Sequence, residues 1–310
     1  MKDTKKLVQI LLLALLVVVI GVGIWFFTAQ REVAQREEII IGMSVPGLEF
    51  PFFVTMKEEA EAAAERLGVQ IVFADALNDS AKQAADMETF IALGVDAILV
   101  SPITTDGLVP AIEQAVDAGI PVATVDRRAD TDLTLAHVGA DNIEGGRSAA
   151  RFIIDQLGNR GTVIQLEGTP GASAAIERKM GFDEVMAASD VEILTSVTAE
   201  FSRARGMSVM EDLIETFPEF DAVFGANDEM IIGAIEAMEA ADIDTAGKVT
   251  VGFDATIDAL DYMQRGLLDT TIDQFPGQQA STALEILVEY IKTGNRPAEA
   301  IQLLKPQPII

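Results

Sequence analysis

Several short apolar runs in this chain end in residues that can grip a small polyhydroxylated molecule. Ser44 stands near the end of the run Ile39–Val45, Asp126 and Arg127 follow the run ending at Val125, and Phe201 follows the one ending at Thr198. Asn227, Asp254 and Gln274 each close a further run, and Phe52 and Phe53 open the amphipathic stretch after the first. Carboxylates, guanidinium groups and amides engage vicinal hydroxyls through paired hydrogen bonds, while aromatic faces cover the C–H faces of a sugar ring. Singly, each of these residues is equally a turn aspartate, a helix cap or a core phenylalanine. Their recurrence at the same place in successive units is what points to a ligand.

The elements that position them are legible from periodicity. The segment Ala222–Met238 reads as a buried strand, a tight turn capped by Asn227-Asp228, and a helix whose apolar residues Met230, Ile231, Ala234, Ile235 and Met238 recur at helical spacing. The same unit is predicted again and again. Strands at 39–45, 69–74, 97–101 and 121–125 alternate with helices at 52–67, 80–93 and 108–118, three of which stop at glycine. After the polar stretch 126–134, strands at 135–139, 162–166, 193–198, 249–253 and 270–274 alternate with helices at 142–157, 172–188, 203–217, 256–265 and 277–293. Continuous rather than alternating apolar strands imply parallel sheets covered on both faces, hence an α/β chain of two doubly wound domains with a ligand cleft between them.

Composition narrows the function. Of 310 residues 49 are acidic and 22 basic, a net charge of −27 that repels phosphate backbones. Nucleic acid is excluded as a partner. There is no cysteine, which removes disulfides, thiol catalysis, cysteine-ligated metals and lipid attachment to cysteine. The single histidine, His137, lies in a predicted strand without metal-ligand spacing around it, so no metal and no cofactor are expected. Lys2, Lys5 and Lys6 precede an apolar run, Leu7 to Phe27, that spans about 31 Å as a helix, enough for a bilayer's hydrocarbon core. An uncleaved membrane anchor and a signal peptide cut near Thr28-Ala29-Gln30 are the two readings, and both export the remainder of the chain.

With these residues assembled, the chain from Ile39 onward resembles the type I periplasmic sugar-binding family, its ribose binders in particular. The resemblance is carried by Pro51-Phe52-Phe53-Val54, Gly119-Ile120-Pro121-Val122, Val125-Asp126-Arg127, Ala140-Asp141-Asn142, Glu177-Arg178, Phe201, Asn227-Asp228-Glu229-Met230, Val251-Gly252-Phe253-Asp254 and Gln274. It implies that Phe52, Phe53 and Phe201 sandwich the sugar, and that Ser44, Asp126, Arg127, Arg178, Asn227, Asp254 and Gln274 bond its hydroxyls. Arg178, inside a helix, enters only through the resemblance. A three-crossover hinge is implied as well: residues 1–30 as anchor or signal peptide, 31–38 as linker, a first lobe of 39–140 plus 275–303, and a second of 141–274 plus 304–310. The implied role is a monomeric, non-enzymatic substrate-binding protein of an ABC-type sugar importer, outside the cytoplasmic membrane, delivering a neutral monosaccharide to its permease. In one respect the chain departs from the family: Phe50 stands where ribose binders have an asparagine, so a polar contact is lost or taken over by Glu49 or by backbone.

Two other functions compete. Asp126 and Asp254 could be the paired carboxylates of a glycosidase, but such a pair needs one acid with a raised pKa, and neighbouring Arg127 and Arg178 are expected to favour ionised carboxylates. A tethered sensor that presents its sugar to a chemoreceptor or kinase uses the same binding site. A ligand-gated transcription regulator is excluded, because an apolar segment stands where a helix-turn-helix would precede Ile39.

Overall fold

The computed structural model describes residues 38–310. The apolar run expected to anchor or export the chain lies outside the described residues. Among those described, no helix is long and apolar enough to cross a membrane.

Two six-stranded sheets form, each ordered as a doubly wound domain. The first takes β1 (Ile39–Val45), β2 (Val69–Asp75), β3 (Ala97–Val100), β4 (Val122–Val125), β5 (Ala136–Ala140) and β11 (Ile301–Leu304), in the order β11-β5-β4-β3-β1-β2. The second takes β6 (Arg160–Glu167), β7 (Asp190–Thr198), β8 (Ala222–Gly225), β9 (Val249–Phe253), β10 (Thr270–Asp273) and β12 (Gln307–Ile309), in the order β12-β10-β9-β8-β6-β7. In the first sheet β11, β5, β4, β3 and β1 pair in parallel, and in the second every pairing is parallel except that of β10 with β12. The central strands β3, β4 and β8 are buried along their whole length, as continuous apolar runs require when helices cover both faces.

The helices connecting the first sheet are α1 (Pro51–Leu67), α2 (Ser80–Leu93) and α3 (Val109–Asp117). Those of the second are α4 (Asn142–Leu157), α5 (Ser173–Met186), α6 (Arg203–Thr216), α7 (Asp228–Ala240) and α8 (Ile257–Gln264). A last helix, α9 (Pro276–Thr293), follows β10 but packs on α1, β4 and β5 of the first lobe. Polar side chains start several of them: Asp79, Asp141, Ser202, Asn227 and Thr256 each accept a backbone N–H of the first turn. Gly68, at φ 67°, ends α1 in the left-handed conformation that glycine adopts without steric cost.

The chain passes between the sheets after Ala140, after Asp273 and between Leu304 and Gln307. Strands β11 and β12 carried no usable sequence signal, because each is only three or four residues long and half-exposed, with Lys305-Pro306 between them. Both consist of residues that close an existing sheet edge, so their strand character comes from β5 and β10 rather than from their own pattern.

Candidate ligand-binding site

The carboxyl ends of the strands face one another across a cavity of about 290 Å³, mouth included. Of the predicted residues, Phe52, Phe53, Asp126, Arg127 and Arg178 line it, as do Phe201, Asn227, Asp254 and Gln274. Phe50 and Ala174 complete the wall. Ser44 is the one candidate that the fold does not bring to this wall. It sits in register with Val100 near the end of β1, its side chain is wholly buried, and its Oγ finds no hydrogen-bond partner among the described residues.

The first lobe contributes an aromatic corner and one charge pair. Proline at the first turn of α1 starts the helix directly after Phe50, so Phe52 and Phe53 project from its first turn, their rings edge to face at 5.1 Å and 76°. Asp126, just past β4, accepts from Ser101 Oγ at 3.2 Å and lies 3.6 Å from Arg127 Nε. The Arg127 guanidinium sits between Phe53, at 5.4 Å, and Phe201 of the other lobe, at 5.2 Å, and donates to the Ile103 carbonyl at 3.2 Å.

The second lobe supplies the other pair. Arg178 donates from Nε to Asn142 Oδ1 at 2.9 Å and from Nη1 to the Ala226 carbonyl at 2.7 Å, while Nη1 lies 3.6 Å from Asp254 Oδ1. These bonds depend on α4 and α5 packing backbone to backbone through glycines. A Cβ on Gly146 would fall 2.1 Å from the Arg178 carbonyl, and one on Gly181 would fall 1.9 Å from that of Ile143. Gln274 donates to Asp254 Oδ1 at 2.6 Å and is itself held by Gln279, which donates to its carbonyl at 2.7 Å. Asn227 is both a cap and a wall residue: Oδ1 accepts the Met230 N–H at 3.0 Å, and Nδ2 donates to the Phe201 carbonyl at 3.1 Å.

Three wall residues have left-handed backbone despite carrying side chains: Asp126 at φ 61°, Phe201 at 60° and Asp254 at 113°. Such conformations cost about 1–3 kcal/mol each and persist where the surroundings impose them, commonly at ligand sites.

Burial dominates the electrostatics. It raises the pKa of Asp126 above the usual carboxylate value, against the opposing pull of Arg127 and Arg178, and it raises that of Asp254 further, where Arg178 opposes and Asp228 adds like-charge repulsion. The arginines do favour the ionised carboxylates, as the sequence led us to expect, but desolvation outweighs their pull. Burial likewise lowers both arginines from their ordinary value. A fifth charged group stands behind the wall. Asp228, at the start of α7, accepts from Thr271 Oγ1 at 2.6 Å and from the Thr256 N–H and hydroxyl at 2.8 and 3.1 Å, and burial pushes its pKa up to about 7.

The lobes touch at the mouth. The Thr105 N–H donates to the Gly171 carbonyl at 3.0 Å, the Arg128 N–H donates to Ser173 Oγ at 2.9 Å, and the Arg128 guanidinium pairs with Glu177. His137 lies in β5, 3.0 Å from Thr124 Oγ1, and among the described residues there is no cluster of side chains able to hold a metal ion.

The periplasmic binding protein domain family matches residues 41–296. A ribose import binding protein of Bacillus subtilis is 41% identical over 244 residues, which is 78% of each chain. A myo-inositol binding protein of Caulobacter, solved with myo-inositol bound, superposes with a TM-score of 0.84 at 33% identity, covering 89% of this chain and 94% of that one. A protein of Mycobacterium smegmatis solved in complex with β-D-fucofuranose superposes with a TM-score of 0.82 at 33% identity, covering 87% and 91%. Matched over most of its length by sequence and by fold, this chain belongs to the periplasmic binding protein domain family and has the two-lobed α/β architecture of its type I members.

Proposed function

We propose that this protein is an extracytoplasmic, non-enzymatic sugar-binding component of an ABC-type importer, taking a neutral monosaccharide or related cyclic polyol into the cavity between its lobes. The observation that carries this reading is the make-up of the cavity: two acid–arginine pairs, two side-chain amides and aromatic rings, drawn from both lobes and buried together. Asp126 lies 3.6 Å from Arg127 and Asp254 3.6 Å from Arg178, so each cation of the wall already has a carboxyl partner. An anionic or cationic ligand would bring a charge with no free counterpart, at a cost of several kcal/mol in a dry site. A neutral polyol supplies hydroxyl donors to the carboxylates and acceptors to the guanidinium groups.

Because the wall is shared between the lobes, only the closed arrangement makes every contact, and a ligand that bridges it shifts the population toward closure. The permease reads that closed form. The relatives named above bind ribose, myo-inositol and fucofuranose, and this range supports the class rather than one sugar. Kinship also argues against catalysis: the raised pKa of Asp254 is what a general acid needs, yet named relatives sharing this architecture are binding proteins. The run Leu7 to Phe27 is read as a membrane anchor, and amino-terminal sequencing of the membrane fraction distinguishes it from a cleaved signal peptide.

A thermal-shift screen of residues 38–310 against pentoses, hexoses, cyclitols, sugar phosphates, uronic acids and amino acids tests the assignment. A true ligand at about 100 times its dissociation constant adds roughly 2.7 kcal/mol of stability. Stabilisation by charged compounds alone would overturn it.

A further inference from the structure

Phe50 divides two spaces. Its ring lines the inner cavity and also an outer groove lined by Glu49, Asn78, Glu200 and Arg203, and Phe201 is the other ring shared by both. One ring comes from each lobe, so together they form a partition between the inner cavity and the outer groove. The Phe50 side chain itself offers only ring carbon. The residue is 6% exposed, its ring packs edge to face on Phe53 at 6.3 Å and 73°, and its own carbonyl already accepts the Phe53 N–H at 2.9 Å. Its N–H is directed at the Gly47 carbonyl, 3.4 Å away.

Glu49 does not take over the missing polar contact. It lines only the outer groove, and its carboxylate folds back over Gly47, where an added Cβ would lie 2.0 Å from Glu49 Oε2. Arg127, on the same lobe, donates from Nη1 to the Ile103 carbonyl and lies over the Phe53 and Phe201 rings. A ligand hydroxyl set against the face of the Phe50 ring would leave water and meet carbon, with no hydrogen bond from that ring in return.

We propose that Phe50 is a specificity-determining residue that selects ligands whose edge under its ring carries no hydroxyl: deoxy or methyl-terminated sugars over their fully hydroxylated parents. This rests on the sugar-binding reading above and names the substrate class within it. An apolar pocket rejects an added hydroxyl only moderately, by about 10- to 100-fold, so the parent sugars still bind detectably.

The test is calorimetry with matched pairs: D-ribose against its 2-, 3- and 5-deoxy analogues, and D-galactose and L-mannose against their 6-deoxy counterparts. The wild type is expected to bind at least one deoxy compound about tenfold or more tighter than its parent. Phe50→Asn, which offers a donor and an acceptor at this corner, is expected to reverse that order. Phe50→Leu is expected to keep the order while weakening both members, and melting curves of both variants establish that they are folded. Parents that bind the wild type as tightly as all their deoxy partners, or an order left unchanged in Phe50→Asn, would overturn the inference and leave the sugar-binding reading standing. Failure of every neutral sugar to bind would remove both.

Discussion

The Arg178 guanidinium carbon lies 3.7 Å from the centroid of the Phe253 ring, while Nη1 of the same arginine lies 3.6 Å from the carboxylate of the next residue, Asp254. One strand end thus supports the cation from below with a ring and neutralises it from the side with a charge. Phe253→Leu keeps the bulk apolar but removes the ring face, a cation–π contact worth about 2 kcal/mol when desolvated. We expect ligand affinity to fall roughly tenfold, with a smaller loss of stability, by calorimetry and urea denaturation. Affinity within twofold of wild type would mean that Asn142 and Ala226 hold Arg178 without the ring.

Gly168 positions an aromatic wall residue that it does not otherwise resemble. A Cβ built there would lie 2.1–2.5 Å from three carbons of the Phe201 ring, closer than any real contact. Gly168→Ala must displace the ring, and the ring faces the cavity. Affinity for all ligands is expected to drop at least tenfold while their rank order is kept, as measured across a set of epimers. A change of rank order with little overall loss would show that Phe201 selects hydroxyls rather than covering a ring face.

The pairing of Arg128 with Glu177 and the Arg128 N–H bond to Ser173 Oγ join the two lobes through residues that do not line the cavity. The arginine side chain is 46% exposed, so the pair is worth at most about 1 kcal/mol. Arg128→Ala should therefore weaken binding by about two- to fivefold and enlarge the radius of gyration of the free protein in small-angle scattering, leaving that of the bound form unchanged. No change in either state would show that closure is set by the cavity residues alone.

Acid stability should report on His137. Burial, with Arg128 nearby as a second cause, lowers its pKa from 6.5 to about 3, so the folded chain keeps it neutral where the unfolded chain protonates it. The unfolded state then binds the extra proton between pH 6.5 and about 3, and stability falls as the pH drops through that window, by up to about 1.4 kcal/mol per pH unit. Asp228 acts with the opposite sign: its raised value makes the folded state bind the extra proton, which favours folding as the pH drops from about 7 toward 3.8. A comparison of wild type with His137→Gln cancels that contribution. We expect the variant to lose less stability than wild type between pH 6.5 and 4 in urea titrations, and parallel curves would refute a neutral buried His137.

Local sequence determined the elements and their ends. Apolar runs bounded by Gly68, Gly94 and Gly158, with caps such as Asp79 and Asn227, set strand and helix limits through interactions within a few residues, and strand ends in a doubly wound sheet point at the ligand crevice by topology alone. Asp126, Asn227, Asp254 and Gln274 were therefore findable without a fold in hand. Arg178 was not, because nothing in α5 marks it; only the close approach of α4 at Gly146 and Gly181 turns that helix face toward Asn142 and Asp254. Ser44 is the reverse case, a strand-end residue in register with Val100 that is wholly buried and does not line the cavity. The left-handed backbone of Asp126, Phe201 and Asp254, the desolvation that overrides their arginine partners, and the role of Phe50 as a partition are likewise decided by tertiary structure. Propensity and capping act over one turn, whereas side-chain direction and burial depend on surfaces brought together from distant parts of the chain.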